Sequence, residues 1–403
     1  MPRVLLLALA VIWPGASHAE RPPLASLLEA ARARAVETTQ ARGVAAVARA
    51  LSAGARVSPV QNPYLEVQLD HGHYTRDVQV SSFLAVPVEL NPQRRARILE
   101  NDALVHWREA GQREVEATVT AEVVSTYASL LGAEARIALA RKAEDDARSE
   151  AAGIAERLRV GDATLFDRSI SDAEVVRWRQ TRAEAALRRT AAATTLSELT
   201  NVTGLDEQEE RSEMLMPHGV VDEAHLVDAA MAGSPTLRAL ADEERYHAAA
   251  GARWSTERIL PLSFIVNGGR GDQGEWRAGG GLAYTFPITR RNQGEIARER
   301  AEQKRVTEVV VRLREVLAAR TAGAARALRI ANDAANDQAK VGIPMAEQVV
   351  DAAYQTYRAG KGELLRVFIA RRDLQVARGR RLDFVEEAWR AYGSLVALGA
   401  VQP

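Results

Sequence analysis

The chain has 403 residues, with 53 acidic and 53 basic side chains and no cysteine. Length alone allows two ordinary domains, and the balanced charge supplies no bulk field for nucleic acid. The missing thiols exclude disulfides, thiolate metal sites, cysteine nucleophiles and an acyl anchor on cysteine.

The first residues read as a secretory leader. Arg3 supplies the positive charge, Val4 to Trp13 an apolar core, and Ser17-His18-Ala19 a small-x-small cleavage site. The run is too short to cross a bilayer. The competing reading is a buried N-terminal helix; the three parts in their proper order favour a leader over 1–19. The mature chain is then expected to begin near Glu20, outside the cytoplasm. No later segment offers about 18 uninterrupted apolar residues. An exported chain of this kind is either soluble or crosses a membrane as closed β-structure.

Two segments, about 63–90 and 261–288, are expected to be β-hairpins. In the first, Leu65, Val67 and Leu69 alternate with Glu66, Gln68 and Asp70. Val78, Val80, Ser82, Leu84 and Val86 then alternate with Gln79, Ser81, Phe83 and Ala85. In the second, Trp276, Ala278, Leu282, Tyr284 and Phe286 alternate with Arg277, Gly279, Gly281 and Thr285. A period of two gives one apolar and one polar face. Tyr64, Tyr74, Trp276 and Phe286 fall near strand ends, where interfacial aromatics sit.

The remainder reads as helix. Val115, Val119, Val123, Tyr127 and Leu131 form a stripe at four-residue steps within 92–157. That stretch reaches roughly 100 Å if continuous, and Gly111, Gly132 and Gly153 are where it would bend. A second long helix is expected over 290–340, and further helices over about 163–200, 222–257 and 362–399. Gly161 and Gly360 stand where helices stop. The stretch 201–221, with Gly204, Pro217 and Gly219, reads as a link.

These landmarks recur. Pro63 and Pro87 return as Pro261 and Pro287, and Arg159-x-Gly161 returns as Arg358-x-Gly360, each after about 200 residues. We read a tandem duplication, with repeats over 20–221 and 222–403.

Four strands cannot close a barrel. In lipid, an open edge leaves several backbone groups unpaired at several kcal/mol each. The total exceeds a folding margin of about 5–15 kcal/mol. Strands of this chain placed in lipid must therefore be pooled with those of other copies.

The chain after the leader resembles the TolC-type outer-membrane efflux proteins, whose protomer is a duplicated helix–hairpin–helix. Within that family it is most similar to the CzcC-like heavy-metal efflux branch. The motif Asn62-Pro63-Tyr64-Leu65-Glu66-Val67 opens the first hairpin, and Val86-Pro87-Val88-Glu89-Leu90 followed by Arg94-Arg95-Ala96-Arg97 closes it. The second hairpin exits through Pro287-Ile288-Thr289-Arg290-Arg291-Asn292-Gln293-Gly294-Glu295-Ile296. Asn91-Pro92-Gln93 replaces the branch's Gly-Gly-Lys, and proline suits a first helical turn.

The resemblance implies a mainly α fold with a small membrane β part. Three copies would build an α-barrel continuous with a twelve-stranded β-barrel, four strands per chain. It implies a homotrimer set in outer-membrane lipid, a periplasmic adaptor protein and an inner-membrane RND pump as partners, and no cofactor. It also implies that Arg159, Gly161 and Asp162, with Arg358, Gly360 and Lys361, form two periplasmic tips that contact the adaptor. Helix capping explains the same residues without a partner. Drug-exporting members carry acidic residues six and nine positions past the second tip glycine. Here those positions hold Arg366 and Ile369, while Asp167 stands at the first of these steps in the first repeat. Asp167, Arg366 and Ile369 are thus the gate candidates, and an acidic ring from the second repeat is not expected. A ring of Arg366, paired with Asp167, would take its place.

Other motifs carry less. Gly269-Arg270-Gly271-Asp272-Gln273-Gly274 matches a dinucleotide fingerprint literally, but an alternating strand follows it where a helix is needed; a hairpin tip is expected. His71 and His73 would point to one side of an extended strand and are weak metal candidates, with a solvated loop as the alternative. His106, His218, His225 and His247 are scattered and read as structural or solvated. No catalytic constellation emerges, because the carboxylates lie among Arg and Lys along helices. The expectation is a non-enzymatic exit duct that exports divalent heavy-metal cations. Two alternatives stay open: the same duct serving drug export or type I protein secretion, and a soluble periplasmic coiled-coil adaptor.

Overall fold

A computed structural model describes residues 22–58, 61–71, 78–206, 214–217, 222–258, 262–271, 274–284, 286, 288–289 and 291–402. The leader expected at 1–19 lies outside the described residues. The elements in order are α1 (Leu24–Arg34), α2 (Val36–Ala55), β1 (Tyr64–His71), β2 (Val78–Val88), α3 (Asn91–Arg159), α4 (Leu165–Thr200), α5 (Glu223–Gly233), α6 (Pro235–Thr256), β3 (Leu262–Arg270), β4 (Trp276–Tyr284), α7 (Gln293–Asp337), a π turn (Gln338–Gly342), α8 (Ile343–Arg358) and α9 (Leu364–Ala397).

The four strands form one antiparallel sheet in the order β1-β2-β3-β4. Its inner seam pairs strands far apart in sequence, with Leu84 opposite Val266 and Val88 opposite Leu262. Both hairpins expected from the alternation are present, and the glycine-rich segment is a hairpin end. There Gly271 N–H donates to the Glu275 carbonyl at 2.9 Å, Gly274 has φ +81, and strand β4 follows.

The helices depart from expectation in three places. Helices α1 and α2 were not foreseen. The face α2 buries consists of Thr38, Ala45, Ala48, Ser52 and Ala55, small residues that leave no bulky stripe to read. The single helix expected over 222–257 is two: Ser234 caps α6 by accepting from Leu237 N–H at 3.3 Å, and Pro235 occupies its first turn. The helix expected to end near 340 continues through the π turn to Arg358. The long helix expected over 92–157 is present as α3, which runs for 69 residues without a break at its glycines.

Gly132 has another role. A Cβ there would lie 1.6 Å from Glu386 Oε1, whereas Gly111 and Gly153 face open space. The missing side chain admits Glu386 of α9, whose carboxylate pairs with Arg136; Asp383 joins the same guanidinium at 2.5 Å.

Two compact units divide the chain, each drawn from both halves. One comprises the described parts of Met1–Ala35, Val119–Asp222 and Gly323–Leu395. Its core includes Ala128, Ala135, Met214, Ala335, Leu382 and Val385, and a second cluster joins Ile154, Leu364 and Phe368. Buried Glu144 is ringed by Arg148 at 2.5 Å, Arg182 at 3.1 Å and Arg179 at 3.4 Å, so its charge is compensated. The other unit comprises Val36–Thr118, Glu223–Ala322 and the described part of Val396–Pro403. There Ser52 donates to Asp102 at 2.7 Å. Arg253 pairs with Glu100 at 2.7 Å, and Trp107 stacks on Tyr246 at 5.1 Å. His247 bonds buried Glu299 at 2.7 Å, a structural role.

Replacing the two glycines of α3 separates close approach from helix propensity. Gly132→Ala must expel the Glu386 side chain and is expected to destabilise by about 1–3 kcal/mol. Gly111→Ala is expected to be neutral, or to stabilise by up to about 1 kcal/mol. Thermal unfolding of the two variants side by side checks the difference in sign.

Candidate functional sites: the two sheet faces and the helix tips

Register decides what each face of the sheet presents. Leu65 lies opposite Leu84, which lies opposite Val266; Leu69 lies opposite Val80, and Phe264 opposite Leu282. These side chains therefore share one face across all four strands. They are exposed: Leu65 66%, Leu69 70%, Val266 58% and Leu282 62%. Trp276 and Tyr284 stand on the same face by register, and Trp276 is 83% exposed. Phe286 packs edge-on against Tyr284 at 4.9 Å. Tyr64 is exposed but pairs with Ala85, so it belongs to the other face; Tyr74 lies outside the described residues. The opposite face carries Glu66, Gln68, Asp70, Gln79, Ser81, Asn267 and Arg277. One face is thus mainly apolar, interrupted by Ser82 and Arg270, and the other mixes its polar groups with Tyr64, Phe83, Ala85 and Ile265. Strands β1 and β4 are the sheet's edges, each with a partner on one side only.

The tips are built by short-range chemistry. At the end of α3, Gly161 has φ +84. Its N–H donates to Leu158 O at 3.1 Å, and Asp162 N–H to Arg157 O at 2.8 Å. At the end of α8, Gly360 has φ +71; Gly360 N–H donates to Tyr357 O at 2.9 Å and Lys361 N–H to Thr356 O at 3.1 Å. Both ends are the same paired-bond left-handed cap, a conformation glycine adopts without a Cβ penalty. Capping therefore accounts for Gly161 and Gly360.

The charged tip residues differ. Arg159 pairs locally with Glu156 at 2.5 Å. Arg157 pairs with Asp162 at 2.9 Å and also donates to the Tyr357 hydroxyl, tying the first tip to the second. Neither Arg157 nor Tyr357 was singled out from the sequence, because the bond joins residues about 200 positions apart. Arg358 lies 5.9 Å from the Tyr354 ring, and Arg358 and Lys361 are exposed. Sequence reasoning also missed the apolar side chains here. Val160 is 62% exposed, Leu165 75% and Phe166 66%. Bulky apolar residues beside a tip glycine were the available signal.

Of the gate candidates, Asp167 is engaged within its own helix. Its carboxylate accepts from Thr164 N–H at 3.0 Å and from the Thr164 hydroxyl at 2.7 Å. Asp167 N–H donates back to Thr164 Oγ1 at 3.1 Å, completing a capping box. Arg366 and Ile369 are exposed on α9. Among the described residues no ion pair joins Asp167 to Arg366 within the protomer, so the expected pairing is not made there. Nearby, Glu150 pairs with Arg371; burial raises its pKa, Arg371 opposes the rise, and Asp146 adds to it.

His73 lies outside the described residues. His71 ends β1 opposite Val78. Among the described residues no group of three or more His, Asp or Glu side chains stands close enough to hold a metal ion, and no helix is long and apolar enough to cross a membrane.

No family model matches the chain. Over 341 residues it is 26% identical to the cobalt-zinc-cadmium resistance protein CzcC of Cupriavidus metallidurans, covering 84% of this chain and 80% of that one. The solved structure of CusC, a transmembrane channel, superposes with a TM-score of 0.74 at 15% identity, covering 93% of this chain and 91% of that one. The outer-membrane protein VceC of Vibrio cholerae superposes at 0.73 with 14% identity, covering 93% and 96%. The fold is that of the TolC-type channel proteins. Within that fold the chain is CzcC-like in sequence.

The Thr164 bonds, with help from Arg157 and against burial, hold the Asp167 carboxyl below its ordinary value of 3.8. A lowered folded value means that the cap stabilises above the ordinary pKa and fades as pH falls through the folded one. Exchange of the first-turn amides of α4, corrected for intrinsic rate, should therefore be flat between about pH 5 and 8 and rise only in stronger acid. Thr164→Ala should cost roughly 1 kcal/mol of local stability and remove that acid-side rise.

Proposed function

We propose that the chain is the outer-membrane exit duct of a tripartite efflux system. The observation that carries this reading is the sheet: one mainly apolar exposed face, a second face that carries most of the polar side chains, and two edges without a strand partner among the described residues. A surface of that kind suits lipid outside and water inside. The edges suit β4 of one copy pairing antiparallel with β1 of the next, which satisfies every backbone group only when a ring closes. Three copies would give twelve strands, and the repeats 20–221 and 222–403 would each supply one hairpin and its helices. The signal-peptide reading of 1–19 fits export to that membrane.

A duct of this class needs no catalytic centre. An inner-membrane RND pump supplies the energy, and a periplasmic adaptor seats on the tips. Arg159, Asp162, Arg358 and Lys361 with exposed Val160, Leu165 and Phe166 make a mixed charged and apolar docking surface there. The cargo we assign is divalent heavy-metal cations, supported by the likeness to the cobalt-zinc-cadmium resistance protein CzcC. A second reading, the same duct serving drug export or type I secretion, is favoured by the basic second tip of Arg358, Lys361 and Arg366. That tip attracts cations less than an acidic one would.

Three measurements decide these points. Val266→Arg, on the apolar face, should cost about 2–4 kcal/mol and abolish recovery in the outer-membrane fraction, while Gln68→Arg on the opposite face should be tolerated; equal recovery of the two sinks the lipid-facing assignment. Deleting the gene should sensitise the host to cobalt, zinc and cadmium, and unchanged metal tolerance with raised drug sensitivity selects the second reading. In single-channel recordings, Arg366→Asp should raise the preference for cations, and unchanged selectivity removes Arg366 from the lumen.

A further inference from the structure

Two adjoining hollows lie against α3 in the first compact unit, and Trp178 of α4 with Arg372 and Gln375 of α9 walls both. In the larger, about 630 Å³, most charges already answer one another. Arg371 pairs with Glu150, Arg378 with Glu347, and Arg157 donates to the Tyr357 hydroxyl. The smaller, about 320 Å³, is different. Leu139, Ala140, Ala185 and Val376 give it apolar walls, and Ala140 and Ala185 are buried. Gly379 lines it too, and a Cβ there would meet open space. A concave apolar site of this size suits a body of one or two fused rings. Half-buried Trp178 offers that body a flat surface.

The polar groups at the end shared with the larger hollow lack partners. Neighbouring arginines are engaged: Arg177 pairs with Glu174 at 2.8 Å, Arg136 with Asp383 at 2.5 Å, and Arg179 and Arg182 with Glu144. Arg372 makes no ion pair among the described residues. One turn further along α9, Gln375 Oε1 is buried with no hydrogen-bond partner. A buried amide oxygen left in that state costs free energy; turned over, the carboxamide presents N–H donors in its place. A guanidinium without a carboxylate, one turn from an amide without a partner, makes a place for an anion. At the other end Arg188 also makes no ion pair among the described residues, but Glu184, one turn before it, offsets its charge.

We propose that this hollow binds a small aromatic carboxylate, with the carboxylate on Arg372 and Gln375 and the ring against Trp178 and the apolar walls. Bound there, it joins α4 to α9 across α3. The site lies within one compact unit and does not rest on the duct reading.

Equilibrium dialysis of 2-naphthoate against the purified full chain tests the site, with protonated 2-naphthylmethylamine as the cationic counterpart. Naphthoate should saturate a single site per chain and raise the unfolding temperature. The amine should bind at least about tenfold more weakly. Arg372→Gln should weaken naphthoate binding at least about tenfold, and Arg188→Gln by less than about threefold. Gly379→Leu fills the hollow and should remove binding while leaving helix content and unfolding temperature no lower than in the parent chain. Naphthoate that binds no better than the amine, that fails to saturate, or that is indifferent to both Arg372→Gln and Gly379→Leu overturns the proposal; water then fills the hollow and Arg372 is a solvated surface charge.

Discussion

A backbone amide or carbonyl inside a bilayer must find a partner in the protein, and the sheet's two edge strands have no strand partner on their outer sides among the described residues. Every other feature of the sheet follows from alternation: the apolar residues gather on one face because the period is two, and the register between hairpins keeps them together across the seam at Leu84 and Val266. A sheet with one apolar face could lie on another layer of its own chain, as in a sandwich. Here Leu65, Leu69, Val266 and Leu282 stay exposed instead. That face and those edges are what the proposed assembly in lipid would cover.

The helices solve a different problem. Alanine makes up about half of the buried apolar residues, and a few charged groups are buried among them. Glu144 among three arginines, and Arg136 between Asp383 and Glu386, hold helices together only because each buried charge has its partner. Gly132 belongs to that network, since the carboxylate of Glu386 occupies the space a side chain would take.

The two tips show how equal local chemistry leads to unequal roles. Both end in a left-handed glycine with the same pair of bonds. The first tip then starts α4 with a capping box that occupies Asp167, while the second presents basic Arg358, Lys361 and Arg366. Asp167, at a proposed gate position, is thus accounted for by a helix start. The second tip also ends α8, which buries no residue, although its Tyr357 packs against the cluster of Ile154, Leu364 and Phe368.

Much of this was legible in the residues alone, wherever the cause is local. Alternation in β1, β2 and β4, the long apolar stripe of α3, and the helix stops at Gly161 and Gly360 depend on neighbours within a few positions, and so does the reading of the glycine-rich 269–274 as a hairpin end. The sequence by itself determined the strands, the helix stops at Gly161 and Gly360 and the likeness to TolC-type proteins. Only the tertiary structure decided the β2–β3 seam, the Arg157–Tyr357 tie, the accommodation of Glu386 at Gly132, and the exposure of α8. Each of these joins residues distant along the chain or depends on what fails to pack, and a one-dimensional period carries no record of either. Helices α1 and α2 went unseen for a related reason: a buried face of alanine and serine has no contrast with its surroundings until something is packed against it.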